Sequence, residues 1–290
     1  MVRVGDSGRP AAARTARLVL AAAALLVFSM SLSACGSGVD HPSDKNQVVV
    51  QVTTGGGFVP IEFFVTLVPE FSLYGDGRVV VPGSVPAVYP GPAMPNLQTT
   101  VIPEKSVQAI LAAARAAGLF DPTIDYGQPN VADGPTTTIV LNAGGAAYRS
   151  VIYALGVGEG GGLSAEQKQA RVAISDLRDR LVALTSFTAG EIAWGPYQYS
   201  ALAVFSQAVD PGSPPDTNGV QPNRLDWPLG DLATLGQEAS RPGFRRVVVS
   251  GQDIVALRPL LDQATQITLW KSGGKEYQLL LRPLLPDEPA

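Results

Sequence analysis

The chain has 290 residues, 46% of them apolar and only 16% charged, with 31 glycines and 24 prolines. That is too apolar for intrinsic disorder, and it favours turns and short elements over long charged helices. A net charge of −4 with one histidine and one cysteine excludes a basic nucleic-acid face, an intrachain disulfide, multi-cysteine metal sites, the usual zinc constellations and most serine–histidine catalysis.

Arg3, Arg9, Arg14 and Arg17 make a positive leader, broken by Asp6, ahead of an apolar run from Leu18 to Phe28 and a serine-interrupted stretch to Ala34. A spanning helix needs about 20 apolar residues to cross ~30 Å of hydrocarbon. This segment is shorter and ends in small residues, so residues 1–34 read as a cleaved signal peptide. No Arg-Arg pair precedes the run, which favours the general secretory route over the twin-arginine one.

The leader ends in Leu32-Ser33-Ala34-Cys35, and Cys35 is the one cysteine. This resembles the lipobox of bacterial lipoproteins: a branched apolar residue, two small residues, then the cysteine to be lipidated. The resemblance implies a diacylglyceryl group on the Cys35 thiol, palmitate included, and cleavage before Cys35. It places the protein at the cell membrane, lipid-anchored on the extracytoplasmic side. Two or more acyl chains anchor a protein stably. Loss of the leader takes away four arginines and one aspartate, leaving 17 basic and 24 acidic groups, a net charge of −7. Residues 35–47 are then anchor and tether. Gly36 to Asp44 reads as flexible and polar, with a reach of roughly 30 Å at about 3.3 Å per residue.

Val48 to Val52 is β-branched and predicts a strand, ended by Gly55-Gly56-Gly57; Phe63 to Val68 predicts a second. Phe71-Ser72-Leu73-Tyr74 and Arg78 to Val81 flank Gly75-Asp76-Gly77, a hairpin signal. Pro82 to Pro95 holds five prolines and reads as irregular. A helix follows Pro103, with Val107, Ile110, Leu111 and Ala114 on one stripe and Gly118 beyond its end. Thr136 to Asn142 and Ala147 to Leu155 form a hairpin around Gly144-Gly145. After the glycine-rich linker 156–162, Ser164 and Gln167 make a capping box for a helix whose apolar face is Ile174, Leu177, Leu181 and Leu184.

The last third repeats part of this plan. A strand from Arg246 leads to a helix with Ile254, Leu257 and Leu261 on one stripe. A hairpin from Thr265 to Leu284 then turns at Gly273-Gly274. Gly144, Gly145, Tyr148 and Leu155 match Gly273, Gly274, Tyr277 and Leu284 at a constant offset, which suggests an internal duplication. The expected fold class is α+β. Two related modules of antiparallel hairpins, residues 48–187 and 188–290, are each packed with a helix and follow the cleaved signal peptide and flexible tether.

Few constellations point to chemistry. The loop from Gly118 to Pro135 carries Asp121, Asp125 and Asp133, weak candidates for Ca²⁺ ligation without EF-hand spacing. Trp194, Tyr197 and Tyr199 form a possible binding face, since period-2 spacing puts both tyrosines on one side of a strand. Arg241, Arg245 and Arg246 are a basic knot that reads as solvated. The residues around Glu191, Asp231 and Glu238 offer no readable acid–base pair, and His41 falls in the tether. No catalytic residue, cofactor or metal is expected from these patterns.

The stretches Phe71 to Val80 and Tyr89 to Gln98 are similar to segments of uncharacterised lipoproteins from high-GC Gram-positive bacteria. That resemblance implies a location and transfers no active site. The sequence therefore points to a lipid-anchored extracytoplasmic protein acting by binding. Its partners are the membrane through Cys35 and an envelope protein or cell-wall ligand, with no nucleic acid. Two alternatives stay open: an anchored wall-modifying hydrolase using carboxylates, and a solute-capture lipoprotein.

Overall fold

The computed structural model describes residues 1, 38–158, 161–212, 215, 217–239 and 241–289. Cys35 and, Met1 apart, the expected signal peptide lie outside them. The described residues form an α+β structure with two sheets and four helices, and no described helix is long and apolar enough to cross a membrane.

The first sheet contains β1 (Val48–Gly55), β2 (Phe71–Tyr74), β3 (Arg78–Pro82), β4 (Leu97–Val101), β5 (Thr136–Ala143), β6 (Ala146–Tyr153) and the short β7 (Gly195–Pro196). Its order is β6-β5-β1-β2-β3-β4-β7, antiparallel throughout. Alternation explains β5, where Thr137, Ile139, Leu141 and Ala143 point inward and the residues between them do not. The β2–β3 turn needs Gly77: its φ is 80°, and a Cβ there would lie 2.5 Å from the Ile102 carbonyl oxygen.

A short helix α1 (Ile61–Val65) follows β1, and helices α2 (Glu104–Ala116) and α3 (Ala165–Ala183) pack on one face of this sheet. Helix α2 buries Val107, Ile110, Leu111 and Ala114, the stripe read from the sequence. Helix α3 opens with the capping box of Ser164 and Gln167 and buries Ile174, Leu177 and Leu181. Together they cover Val50, Val52, Leu73, Ile139 and Leu141. Burial of such a side chain contributes about 1.5–3 kcal/mol. Arg171 of α3 is fully buried, and its guanidinium donates to the carbonyls of Tyr126, Tyr153 and Ala154.

The second sheet contains β8 (Ala201–Ala208), β9 (Arg224–Asp226), β10 (Gln237–Glu238), β11 (Phe244–Ser250), β12 (Leu269–Ser272) and β13 (Lys275–Pro283). Its order is β10-β11-β8-β13-β12-β9, antiparallel except for the β9–β12 pair. Helix α4 (Gln252–Leu261) covers it with Ile254, Leu257 and Leu261, alongside an edge-on pair of buried rings, Trp227 and Trp270, with centroids 5.8 Å apart.

Residues 39–290 form one compact unit. The end of β13 and the segment after it join the two sheets: the buried Tyr74 hydroxyl donates to Asp287 at 2.7 Å, Tyr197 donates to the Leu284 carbonyl at 3.0 Å, and Arg282 of β13 reaches the Leu67 carbonyl at 2.7 Å and Glu288 at 2.6 Å.

Several expectations are corrected. Phe63 to Val68 is no strand, because Pro60 opens a single helical turn, α1, over its first half. Strands β4 and β8 occupy segments to which the sequence assigns nothing. The strand orders do not repeat. In the first hairpin the leading strand β5 is the inner one and pairs with β1, whereas in the second the trailing strand β13 is inner and pairs with β8. The tether is pinned to the body from Val39 onward, as described next.

Candidate functional site

Three features of the described surface bear on function: where the N-terminal segment meets the body, an exposed aromatic segment beyond β1, and a cleft in the second sheet.

The N-terminal segment lies along α2 and two hairpin turns. Gln108 on α2 pairs with the Val39 backbone through both of its amide atoms, at 2.8 and 3.0 Å. Gly144, in the β5–β6 turn, donates to the Asp40 carbonyl at 2.7 Å. His41 contacts the Pro42 carbonyl and the Glu104 carboxylate, while Gln108 donates to the same carboxylate at 2.7 Å. That hydrogen bond from Gln108 is the main reason the Glu104 carboxyl sits below its usual range; desolvation opposes it, and His41 adds to it. Arg78 donates to the Lys45 carbonyl at 2.6 Å. Gly75 in the β2–β3 turn is bare because a Cβ would stand 2.5 Å from the carbonyl oxygens of both Pro42 and Asp44. Val39 itself packs against the first core. A segment read as free is therefore seated by backbone and side-chain bonds. His41, for which the sequence offers no partner, is its best-connected side chain.

The aromatic segment follows β1. Helix α1 buries none of its residues, and Phe58, Phe63 and Phe64 are exposed at 94%, 64% and 46%. It lies past Gly55, the end of β1 opposite Val48, where the N-terminal segment arrives. Seven residue steps of strand put about 23 Å between the two ends.

The cleft encloses about 740 Å³ at the edge of the second sheet. Its polar lining is Thr217, Gln221, Arg224, Lys275 and Glu276, with Leu269 among its apolar walls. Arg224 and Glu276 form an ion pair across it at 2.7 Å.

The residues singled out from the sequence are placed as follows. Cys35 lies outside the described residues. Asp121 accepts from the Thr123 amide and hydroxyl, and Asp125 from the Gly127 amide and the Gln167 side chain, so both carboxylates close local turns. These same bonds hold both carboxyls below the usual range. Asp133 occupies a left-handed turn position with φ 53°. Among the described residues no group of three histidine, cysteine, aspartate or glutamate side chains converges as a metal site would require.

Trp194, Tyr197 and Tyr199 do not share a face, because β7 ends at Pro196. Tyr197 packs with Tyr74 and Leu285 between the sheets, where burial pushes its hydroxyl up to about 12. Tyr199 packs on the second core beneath Arg258, and Trp194 is exposed. The arginine knot is also engaged. Arg245 donates to the carbonyls of Leu235, Thr234 and Gly236, and Arg241 lies over the Phe244 ring.

The sequence reading missed Glu104 and Gln108 as partners of the N-terminal segment, and Phe58, Phe63 and Phe64 as an exposed cluster. For the last a signal existed, since a Pro-Gly-bounded apolar stretch too short for a strand pair has little to bury it. No protein-family model matches the chain, nor does any curated protein or solved structure.

Proposed function

We propose that this chain is a lipid-anchored extracytoplasmic protein that acts by binding, with the membrane as one partner through Cys35 and an envelope protein or cell-wall ligand as the other. The observation that carries this reading is Leu32-Ser33-Ala34-Cys35 closing a short apolar leader, with the one cysteine at the position to be acylated. Residues 48–187 and 188–290 are read as two modules of one body, with β7 from the second closing the edge of the first module's sheet.

Seating of Val39 on the body supports the reading and sharpens it. Only Gly36, Ser37 and Gly38 then separate an acylated Cys35 from the folded protein, a reach of about 13 Å. The exposed Phe58, Phe63 and Phe64 are the surface for that envelope partner.

Replacing Cys35 with serine tests the anchor. The variant is expected to lose labelling by a palmitate analogue and to accumulate uncleaved, with loss of detergent-phase partitioning. Equal labelling and processing would overturn the reading. Photocrosslinking from position 63 on intact cells tests the binding role. No crosslinked partner, together with cleavage of wall fragments by purified protein, would replace binding with hydrolysis. The cleft around the Arg224–Glu276 pair favours a second reading, capture of a small polar ligand, because its volume falls within the roughly 300–1,000 Å³ of ligand pockets.

A further inference from the structure

The chain's single histidine sits where the N-terminal segment meets the body, and both of its ring nitrogens face oxygen. Nδ1 lies 2.7 Å from the Pro42 carbonyl, and Nε2 lies 3.1 and 3.2 Å from the two carboxylate oxygens of Glu104. A carbonyl and an ionised carboxylate can only accept. Neutral imidazole carries one N–H, so either tautomer would set a ring lone pair against an oxygen at hydrogen-bond distance. Only the imidazolium satisfies both contacts.

We infer that His41 and Glu104 form a pH-sensitive clasp for residues 39–43, closed when the imidazole is protonated and the carboxylate ionised, and loosened when the imidazole loses its proton.

The charged groups of the elements around the ring are these. On its own segment lie Asp40, Asp44 and Lys45; α2 supplies Glu104; the β2–β3 turn supplies Asp76 and Arg78, which are paired at 3.6 Å. The β5–β6 hairpin contributes the uncharged Asn142 and its turn glycines. Acidic groups outnumber basic ones four to two in that set. The sign follows directly. Closing takes up a proton at His41, so falling pH favours the closed state until Glu104 itself is protonated. Histidine as a residue type changes charge between about pH 5 and 8, which sets the range to be tested.

The test uses the isotope-labelled full-length chain in detergent micelles, where one histidine gives one set of ring resonances. At pH 5.5 both ring nitrogens are expected to be protonated. Amide-exchange protection of Val39 and Gly144, corrected for intrinsic rates, is expected to fall about tenfold between pH 5.5 and 8, the scale of one charge-assisted hydrogen bond. His41→Gln removes that pH dependence and leaves protection low throughout. Glu104→Gln lowers the midpoint of the ring titration. A singly protonated ring at pH 5.5, protection that does not change with pH, or a fall that persists in His41→Gln would each overturn the clasp. Palmitate labelling of Cys35 is read separately: its loss would remove the anchor and leave the clasp standing.

Discussion

The two sheets are covered in different ways. Over the first, α2 and α3 supply two regular apolar stripes, and a buried guanidinium closes the end of the β5–β6 hairpin. Over the second there is one helix, interrupted by Pro259, and the remaining space is filled by Trp227, Trp270 and the loop residue Leu232. A helical cover spreads its contribution over many medium-sized side chains. An aromatic cover concentrates it in two. The first sheet should therefore tolerate single losses that the second does not.

The largest expected effect is Trp270→Ala, a loss of about 4 kcal/mol, because a buried indole is replaced by a cavity and its edge contact with Trp227 disappears. Urea unfolding followed by far-ultraviolet circular dichroism measures it. A loss no larger than that of Leu177→Ala would break the contrast between the covers.

Next comes Arg171→Met, expected to cost about 3 kcal/mol by leaving the carbonyls of Tyr126, Tyr153 and Ala154 without their donor. Thermal unfolding of the variant checks it.

The joint between the sheets gives a smaller effect with a pH signature. Burial, and then the Asp287 carboxylate, push the Tyr74 phenol well above its ordinary value of 10.0. Below pH 10 both folded and unfolded chains keep this proton. Above it the unfolded chain loses the proton while the folded one holds it, so stability falls with rising pH by about 1.4 kcal/mol per pH unit for this group. Tyr74→Phe removes that slope and, at pH 7, costs about 1 kcal/mol for the lost bond to Asp287. Denaturation series at pH 7 and above pH 10 separate the two effects. The smallest effect is at the α3 cap, where Ser164→Ala costs about 1 kcal/mol or less. A shift in thermal midpoint reports it.

The same difference explains what could be read in advance. Helix α2, the capping box of α3 and the hairpins at Asp76-Gly77, Gly144-Gly145 and Gly273-Gly274 were legible because each is set by local spacing. Strand β8 was not. Residues 201–206 are buried on both faces, so Ala-Leu-Ala-Val-Phe-Ser shows no alternation to mark it as a strand. Phe63 and Phe64 favour strands by type, but Pro60 opens a helical turn there, and among the described residues the segment lies beside β13 without joining a sheet. At the candidate site, the proposed attachment at Cys35 rests on a contiguous run, so that proposal is legible in the sequence alone. The clasp was not, since His41 and Glu104 stand 63 positions apart and meet only through the register that brings α2 beside the first residues of the body.

The placement of the indoles has a practical result. Of the three tryptophans, Trp227 and Trp270 are buried together against the second sheet, while Trp194 is exposed just before β7 at the edge of the first. The core over the first sheet has none. Intrinsic fluorescence is therefore a nearly private reporter of the second sheet, whereas ellipticity weighs the helices that cover the first. Where the two probes trace one curve, the halves melt as a single cooperative body; where they part, the emission curve names the half that goes first.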